Sequence, residues 1–299
     1  MKGIALHSIV PVRAEAREGA EQETQMLFGE LCEIVESHQL SEVSHQPQWY
    51  RVRLEADGAE GWVDAKMISP IGGKDYTAYK KALKSAAYVS MPMAYAVSEN
   101  NGQTIPLTAG TRLTNYQFIS LPTGEGRGGA ARFEVLGVGF RIDPGMVMEQ
   151  PLELNEQNLM QVVRFFLNVP YLWGGKNAMG MDCSGFTQVV MSLFGKQLPR
   201  NAGQQVKCGR EISGLKKAKA GDLVFFDHHD GKISHVGIIL QPSAITATGP
   251  PSEVSVVHCS GRVKVEKMDE TGIFSVERAD KAHPQGVYSH QLSAIRRLM

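Results

Sequence analysis

Apolar positions in the first part of the chain come in short runs separated by polar turns: Ile4 to Val12, Met26 to Val35, Trp49 to Leu54 and Gly61 to Ile68. Runs of this length, with Asp57-Gly58 as a turn signal between two of them, predict the closely spaced strands of a small antiparallel barrel over residues 1–70. From Gly72 to Lys84 the chain is polar and opens on Gly72-Gly73, which predicts a connection with some helix over 71–85. Strand-like runs resume at Ala87 to Ser90, Thr111 to Asn115 and Phe133 to Val138, broken by Asn100-Asn101-Gly102 and by Gly124 to Gly129. Residues 86–150 therefore read as a second small β domain.

Near Pro151 the period changes. Asn155 precedes Leu159, Val162, Val163, Phe166 and Leu167 at helical spacing, which predicts a helix that ends before Pro170. A second helix is expected to begin at or just before Cys183 and to run through Phe186, Val189, Val190, Leu193 and Phe194, with Gly195 as its stop. Strand candidates follow at Leu223 to Phe226, Val236 to Leu240, Val254 to His258 and Gly272 to Val276, and again at Ala294 to Leu298. Helices first and an antiparallel sheet afterwards predict an α+β unit over 151–299.

The bulk properties narrow the function. A chain of 299 residues has room for two or three compact units. Lys plus Arg and Asp plus Glu balance at 31 each, so no long-range field draws nucleic acid or an anionic membrane, and a small or locally recognised substrate fits better. The first residues lack the apolar core and cleavage site of a secretory signal, and there is no run of eighteen apolar residues, so a soluble, cytoplasmic protein is expected. Cys32, Cys183, Cys208 and Cys259 form neither a CxxC pair nor a tight cluster, which argues against a zinc knot or a disulfide framework and leaves at least one free thiol. A reducing compartment suits such a thiol.

Of the four, Cys183 has the surroundings of a nucleophile. A helix N-terminus favours thiolate, Asp182 and Ser184 are residue types that satisfy free amides there, and Gly185 leaves room for a substrate backbone. The bland alternative, a buried small hydrophobe, is kept for the other three. A thiol needs a base, and the base needs an orienting group. His235 opens the apolar run Val236 to Leu240 and His258 closes Val254 to Val257, so adjacent antiparallel strands can bring the two rings together. Each alone is more often a structural histidine than a catalytic one. Asp227-His228-His229-Asp230 reads as a solvated hairpin turn rather than a metal cluster, because adjacent strand residues point to opposite faces. No GxxxxGK[ST] or strand-anchored GxGxxG is present to cradle a phosphate, and no cofactor is implied.

The ordered motifs Pro170-Tyr171-Leu172-Trp173-Gly174-Gly175, Asp182-Cys183-Ser184-Gly185-Phe186, Leu198-Pro199-Arg200, Gly221-Asp222-Leu223, Ser234-His235-Val236-Gly237-Ile238 and His258 resemble the NlpC family of cell-wall peptidases. The segments Thr24 to Glu30 and Gly61-Trp62-Val63 resemble the bacterial Src-homology-3-like barrels of one branch, the γ-D-glutamyl-L-diamino acid endopeptidases, or dipeptidyl-peptidase VI. The resemblance implies a permuted papain-like domain preceded by two small SH3-like β-barrels. It also implies attack by Cys183 on the amide between γ-D-glutamate and a diamino acid, with His235 as base, His258 as orienting residue and Tyr171 beside the oxyanion region.

Partners would be small peptidoglycan-derived peptides with a free N-terminal L-Ala. Asp182 or Glu30 would accept the ammonium, Ser184, Trp173 and Arg200 would lie near the substrate, and the first barrel would restrict the enzyme to short, released peptides. Two positions depart from the pattern: Ala59 stands where tyrosine is frequent and Ala202 where serine is common, so hydrogen bonds from those sites must be absent or replaced. The Pro242 to Glu253 segment reads as an extended loop. A wall-binding module with a degenerate catalytic unit, and an amidase or acyltransferase using the same residues, remain as alternatives.

Overall fold

The computed structural model describes residues 1–38, 48–120, 129–227, 231–240 and 254–299. The expected loop from Pro242 to Glu253, and most of the turns at Gly124 to Gly129 and Asp227 to Asp230, lie outside them. The chain divides into two compact units, Met1–Pro151 with Trp173–Ala178, and Leu152–Leu172 with Met179–Met299.

The first unit opens on a seven-stranded antiparallel sheet in the order Gln22–Leu27, Ile9–Arg13, Glu60–Asp64, Trp49–Leu54, Leu31–His38, Lys2–Ala5, Ile68–Ile71. The apolar stretch from Met26 to Val35 is two strands rather than one run, because Gly29 takes φ +79° and turns the chain, a conformation open to glycine at little cost. The connection contains a helix, Gly73–Ala82, whose Tyr79 is buried and donates its hydroxyl hydrogen to the Gly29 carbonyl at 3.1 Å. Beyond it stand a five-stranded sheet (Thr104–Thr108, Met93–Ser98, Val138–Ile142, Gly129–Val135, Gln117–Ser120) and a three-stranded one (Arg112–Leu113, Ala87–Val89, Val147–Met148). Phe28 and Tyr79 share a core with Val89, Leu107, Phe133 and Phe140, so the sheets of this unit rest on common buried surface.

Residues 173–178 are held in the first unit by polar side chains. Gln22 Nε2 donates to the Trp173 carbonyl at 3.0 Å. Gln25 Oε1 accepts from Lys176 N at 3.0 Å and from Asn177 Nδ2 at 2.7 Å, and the Thr108 hydroxyl accepts from Ala178 N at 3.2 Å.

In the second unit, the helix expected after Asn155 spans Glu156–Phe166. Asn155 caps it by accepting from Asn158 N at 2.9 Å, and Leu159, Val162, Val163 and Phe166 are its buried face. The helix that carries Cys183 spans Cys183–Ser192. It ends two residues earlier than the apolar pattern suggests, and Gly195 follows with φ +71°. Its apolar face buries Phe186, Val190 and Met191 completely, about 2 kcal/mol each relative to exposure. The antiparallel strands Leu223–Asp227, His235–Leu240, Val254–Ser260, Arg262–Met268 and Gly272–Ser275 follow one another, and Val287–Arg297 pairs with both the first and the last, closing a six-stranded ring. Val224, Phe226, Ile239, Val256, Met268, Ile273 and Ile295 form a buried cluster on one face of it. Among the described residues, no helix is long and apolar enough to cross a membrane.

Candidate active site

Cys183 is the first residue of its helix, and Asp182 is the N-cap. Asp182 Oδ1 accepts the Gly185 N–H at 2.7 Å, which satisfies one of the amides the helix start leaves open, and the Ser184 hydroxyl at 3.1 Å. Arg200 closes on the same carboxylate, donating from one guanidinium nitrogen to Oδ1 at 3.0 Å and from the other to Oδ2 at 2.5 Å, with a further bond to Ser184 Oγ at 2.8 Å. Asp182, Ser184 and Arg200 therefore form one buried cluster beside Cys183. Arg200, expected near the substrate, is 2 % exposed with its guanidinium turned onto Asp182 and Ser184, so it would act on a substrate through those two residues. Any contact of Asp182 with a substrate ammonium would be made in addition to these bonds.

The Cys183 Sγ lies 4.0 Å from the Ser234 carbonyl and is approached by the backbone N–H groups of Val236 and Ser184. Burial first, and then the Asp182 carboxylate, push the thiol up to about 11, against the opposing pull of those two N–H groups and of Arg200. The resting sulfur is thus protonated near neutral pH and needs a base to become a nucleophile. A candidate base is close by, since Ser234 and Val236, the residues whose backbone meets Sγ, flank His235 on either side.

Strand register assembles the rest. Gly237 is paired with His258, which puts His235 and His258 on the same face of neighbouring strands. A Cβ at Gly237 would fall 2.6 Å from a methyl of Val256 and 3.1 Å from the Cβ of His258, so a side chain there would force the strands apart. His235 Nε2 and His258 Nδ1 are 2.8 Å apart, and His258 Nε2 lies 2.8 Å from Glu266 Oε2. Glu266 Oε1 accepts the Ser275 hydroxyl at 2.5 Å, and Lys264 Nζ stands 3.2 Å from Oε2. His290, from the strand that closes the ring, stacks on His235 with centroids 4.3 Å apart and planes 26° from parallel.

Tyr171 joins this unit through a bridge to Met181, next to the nucleophile's cap. Burial, and then the charges of Cys183 and Asp182, raise its hydroxyl well above the usual phenol range, so it stays protonated and can act as a hydrogen-bond donor. Glu30 and Trp173 belong to the first unit. The Trp173 ring is exposed, whereas the Glu30 oxygens take the Lys176 ammonium at 3.0 and 3.1 Å and the Leu27 N–H at 3.0 Å. Ala59 and Ala202 contribute methyl groups that pack against core residues or lie buried. Among the described residues, no group of three or more His, Cys, Asp or Glu side chains is arranged to hold a metal.

Glu266 and His290 are absent from the sequence reading. A signal for Glu266 does exist, since a tight turn at Gly261 pairs Ser260 with Arg262, His258 with Lys264 and Val256 with Glu266, which places Glu266 on the His258 face. His290 carries no such local signal.

A family model described as the NlpC/P60 family matches residues 168–275, and one described as the bacterial dipeptidyl-peptidase Sh3 domain matches residues 12–68. Over 228 residues the chain is 30 % identical to γ-D-glutamyl-L-lysine dipeptidyl-peptidase of Bacillus subtilis, covering 72 % of this chain and 68 % of that protein. A Bacillus cereus protein of the same name is 35 % identical over 85 residues, 28 % of this chain and 25 % of the relative. The crystal structure of an NlpC/P60 family protein from Bacillus cereus matches 99 % of both chains with a TM-score of 0.71 at 16 % identity, a likeness of fold.

Proposed function

This chain belongs to the NlpC/P60 family of cysteine-type peptidases, and from that premise we propose that it hydrolyses the amide between γ-D-glutamate and a diamino acid in short cell-wall peptides. The observation that carries the reading is the Cys183 thiol at a helix start against the backbone flanking His235, with His258 hydrogen-bonded to the far nitrogen of the His235 ring at 2.8 Å. The choice of bond rests on the Bacillus subtilis relative, whose name specifies γ-D-glutamyl-L-lysine.

In the first half-reaction the Cys183 S–H proton passes to His235 Nδ1 as sulfur bonds to the γ-carbonyl carbon. The oxyanion so formed is met by backbone N–H at the helix start and by the Tyr171 hydroxyl. His235 then gives its proton to the leaving amine, the C–N bond breaks, and a thioester remains on Cys183. In the second half-reaction water loses a proton to His235, attacks the thioester and releases L-Ala-γ-D-Glu, while the thiolate recovers its proton. His258 keeps His235 oriented through both halves.

The same proposal takes a free N-terminal L-Ala as the recognised end and the recycling of released wall peptides as the setting. Asp182 is already occupied as helix cap and as counter-charge to Arg200, and Glu30 already holds Lys176. An ammonium bound by Asp182 would share that carboxylate with these bonds. Mass spectrometry of products from L-Ala-γ-D-Glu-L-Lys, its diaminopimelate counterpart and their N-acetylated forms tests the reading. Release of the dipeptide from the free-amine substrates by the wild type, and its loss in Cys183→Ala, is the expected result. Full hydrolysis by Cys183→Ala, or binding to insoluble wall without dipeptide release, would overturn it, and equal rates on acetylated peptides would remove the ammonium contact.

A further inference from the structure

We infer that Glu266 is a positioning residue of the catalytic relay: by accepting the Nε2 hydrogen of His258 it fixes the tautomers of both histidines, so that His235 presents an unprotonated Nδ1 to the Cys183 thiol. The inference rests on the peptidase reading only for the roles of Cys183 and His235.

An ionised carboxylate can only accept, so the 2.8 Å contact between Glu266 Oε2 and His258 Nε2 requires the hydrogen on the ring nitrogen. His258 is buried completely, and that burial, opposed by Glu266, keeps the ring neutral with a pKa below the usual histidine value. A neutral imidazole protonated at Nε2 has its lone pair at Nδ1. The 2.8 Å contact between His258 Nδ1 and His235 Nε2 must then take its hydrogen from His235. A neutral His235 so protonated has its lone pair at Nδ1, the nitrogen that can receive the thiol proton. Without the carboxylate the chain could reverse: His258 Nδ1–H would donate to His235 Nε2, put the hydrogen of His235 on Nδ1 and leave the thiol without an acceptor.

The surroundings keep Glu266 an anion. The Ser275 hydroxyl donates to one oxygen and the Lys264 ammonium stands 3.2 Å from the other. Burial alone would raise this carboxyl, but the bonds from His258 and Ser275 and the charge of Lys264 outweigh it and hold it at about 2. Lys264 is in turn paired with Glu277 at 2.8 Å, and the positive charges of Lys264 and Arg278 act on His258 in the direction that disfavours its protonation. From the closing strand, the His290 ring faces His235 at 4.3 Å and His258 at 5.7 Å, and its Nδ1 is 2.8 Å from the Ser289 hydroxyl.

The test uses the full chain labelled with ¹⁵N-histidine. In the wild type, His258 is expected to carry its hydrogen on Nε2 with a bare Nδ1, and His235 to be protonated at Nε2. Glu266→Gln, close to isosteric, is expected to mix or reverse these tautomers and to slow alkylation of Cys183 by iodoacetamide at least about 10-fold near neutral pH, with an altered pH profile, because the analogous loss of a triad carboxylate acts through the wrong tautomer. A wild-type spectrum with the hydrogen on His258 Nδ1 would overturn the inference, and so would a folded Glu266→Gln protein with unchanged tautomers and alkylation profile. If that variant does not fold, the wild-type spectrum decides. Neither readout needs a peptide, so failure of dipeptide release would overturn the proposed substrate and leave this result standing.

Discussion

Arg200→Met removes a charge from beside Cys183 while keeping most of the apolar stem, and its cost can be worked from the geometry. The Arg200 and Asp182 side chains are 3 % and 10 % exposed, with the bidentate pair closing to 2.5 Å. Breaking a buried pair by removing one partner costs about 3–5 kcal/mol, because the remaining charge stays desolvated. Here the Asp182 carboxylate keeps its Gly185 and Ser184 bonds, and the helix N-terminus offsets about 1 kcal/mol, so a loss near 3 kcal/mol is expected. Trp49, Trp62 and Trp173 all lie in the first unit, so no tryptophan reports from within the second. Amide hydrogen exchange over the Cys183–Ser192 helix does, and its protection should fall by that amount. The thiol supplies a second reading of opposite sign for the two partners. Arg200 pulls its pKa down and Asp182 pushes it up, so Arg200→Met should slow alkylation of Cys183 and Asp182→Asn should speed it. Protection within about 1 kcal/mol of the wild type, the size of an exposed pair, would refute the claim that this pair anchors the nucleophile's helix.

Three further outcomes are expected. Gly237→Ala places a Cβ 2.6 Å from Val256 against packed backbone and should cost about 1–3 kcal/mol, measured as a lowered urea midpoint of the second unit, with catalysis falling as His235 and His258 separate. Acid should destabilise the relay. Glu266 titrates at about 2 in the folded protein against 4.5 ordinarily, so its contribution, about 3 kcal/mol, is complete above pH 4.5 and is lost as pH falls from there through 2; the depressed pKa of His258 adds to the loss below 6.5, and exchange protection of Val254–Ser260 between pH 7 and 3 reads both. His290→Phe should keep the flat partner that stacks on His235 and retain most activity, whereas His290→Ala opens a void beside the base and should lower kcat several-fold with little change in KM, a split visible in steady-state kinetics.

Much of the candidate site can be read locally. The residue types around Cys183 are those of a helix start, and the runs beginning at His235 and ending near His258 are strands whose pairing brings two rings into hydrogen-bond contact. The long-range partners are less visible. Glu266 lies in Lys264-Val265-Glu266-Lys267, where alternation suggests an ordinary solvated strand face, and only the register set by the Gly261 turn shows that this face is buried against His258. His290 reaches His235 because the final strand closes the ring, a pairing no local pattern encodes. Arg200 looks like a substrate-binding cation from its motif, yet the fold buries it on Asp182. Likewise the Asp222 of Gly221-Asp222-Leu223 is a scaffold residue, held from both oxygens by Arg297 at 2.7 Å.

The central claim is covalent chemistry at Cys183. Rapid acid quench of the wild type during turnover of L-Ala-γ-D-Glu-L-Lys, followed by peptide mapping, is the direct measurement. A thioester-linked L-Ala-γ-D-Glu adduct confined to the peptide containing Cys183, formed with release of one lysine per adduct, is expected. Turnover with the adduct on Cys32, Cys208 or Cys259, or undiminished turnover in Cys183→Ala, would contradict it.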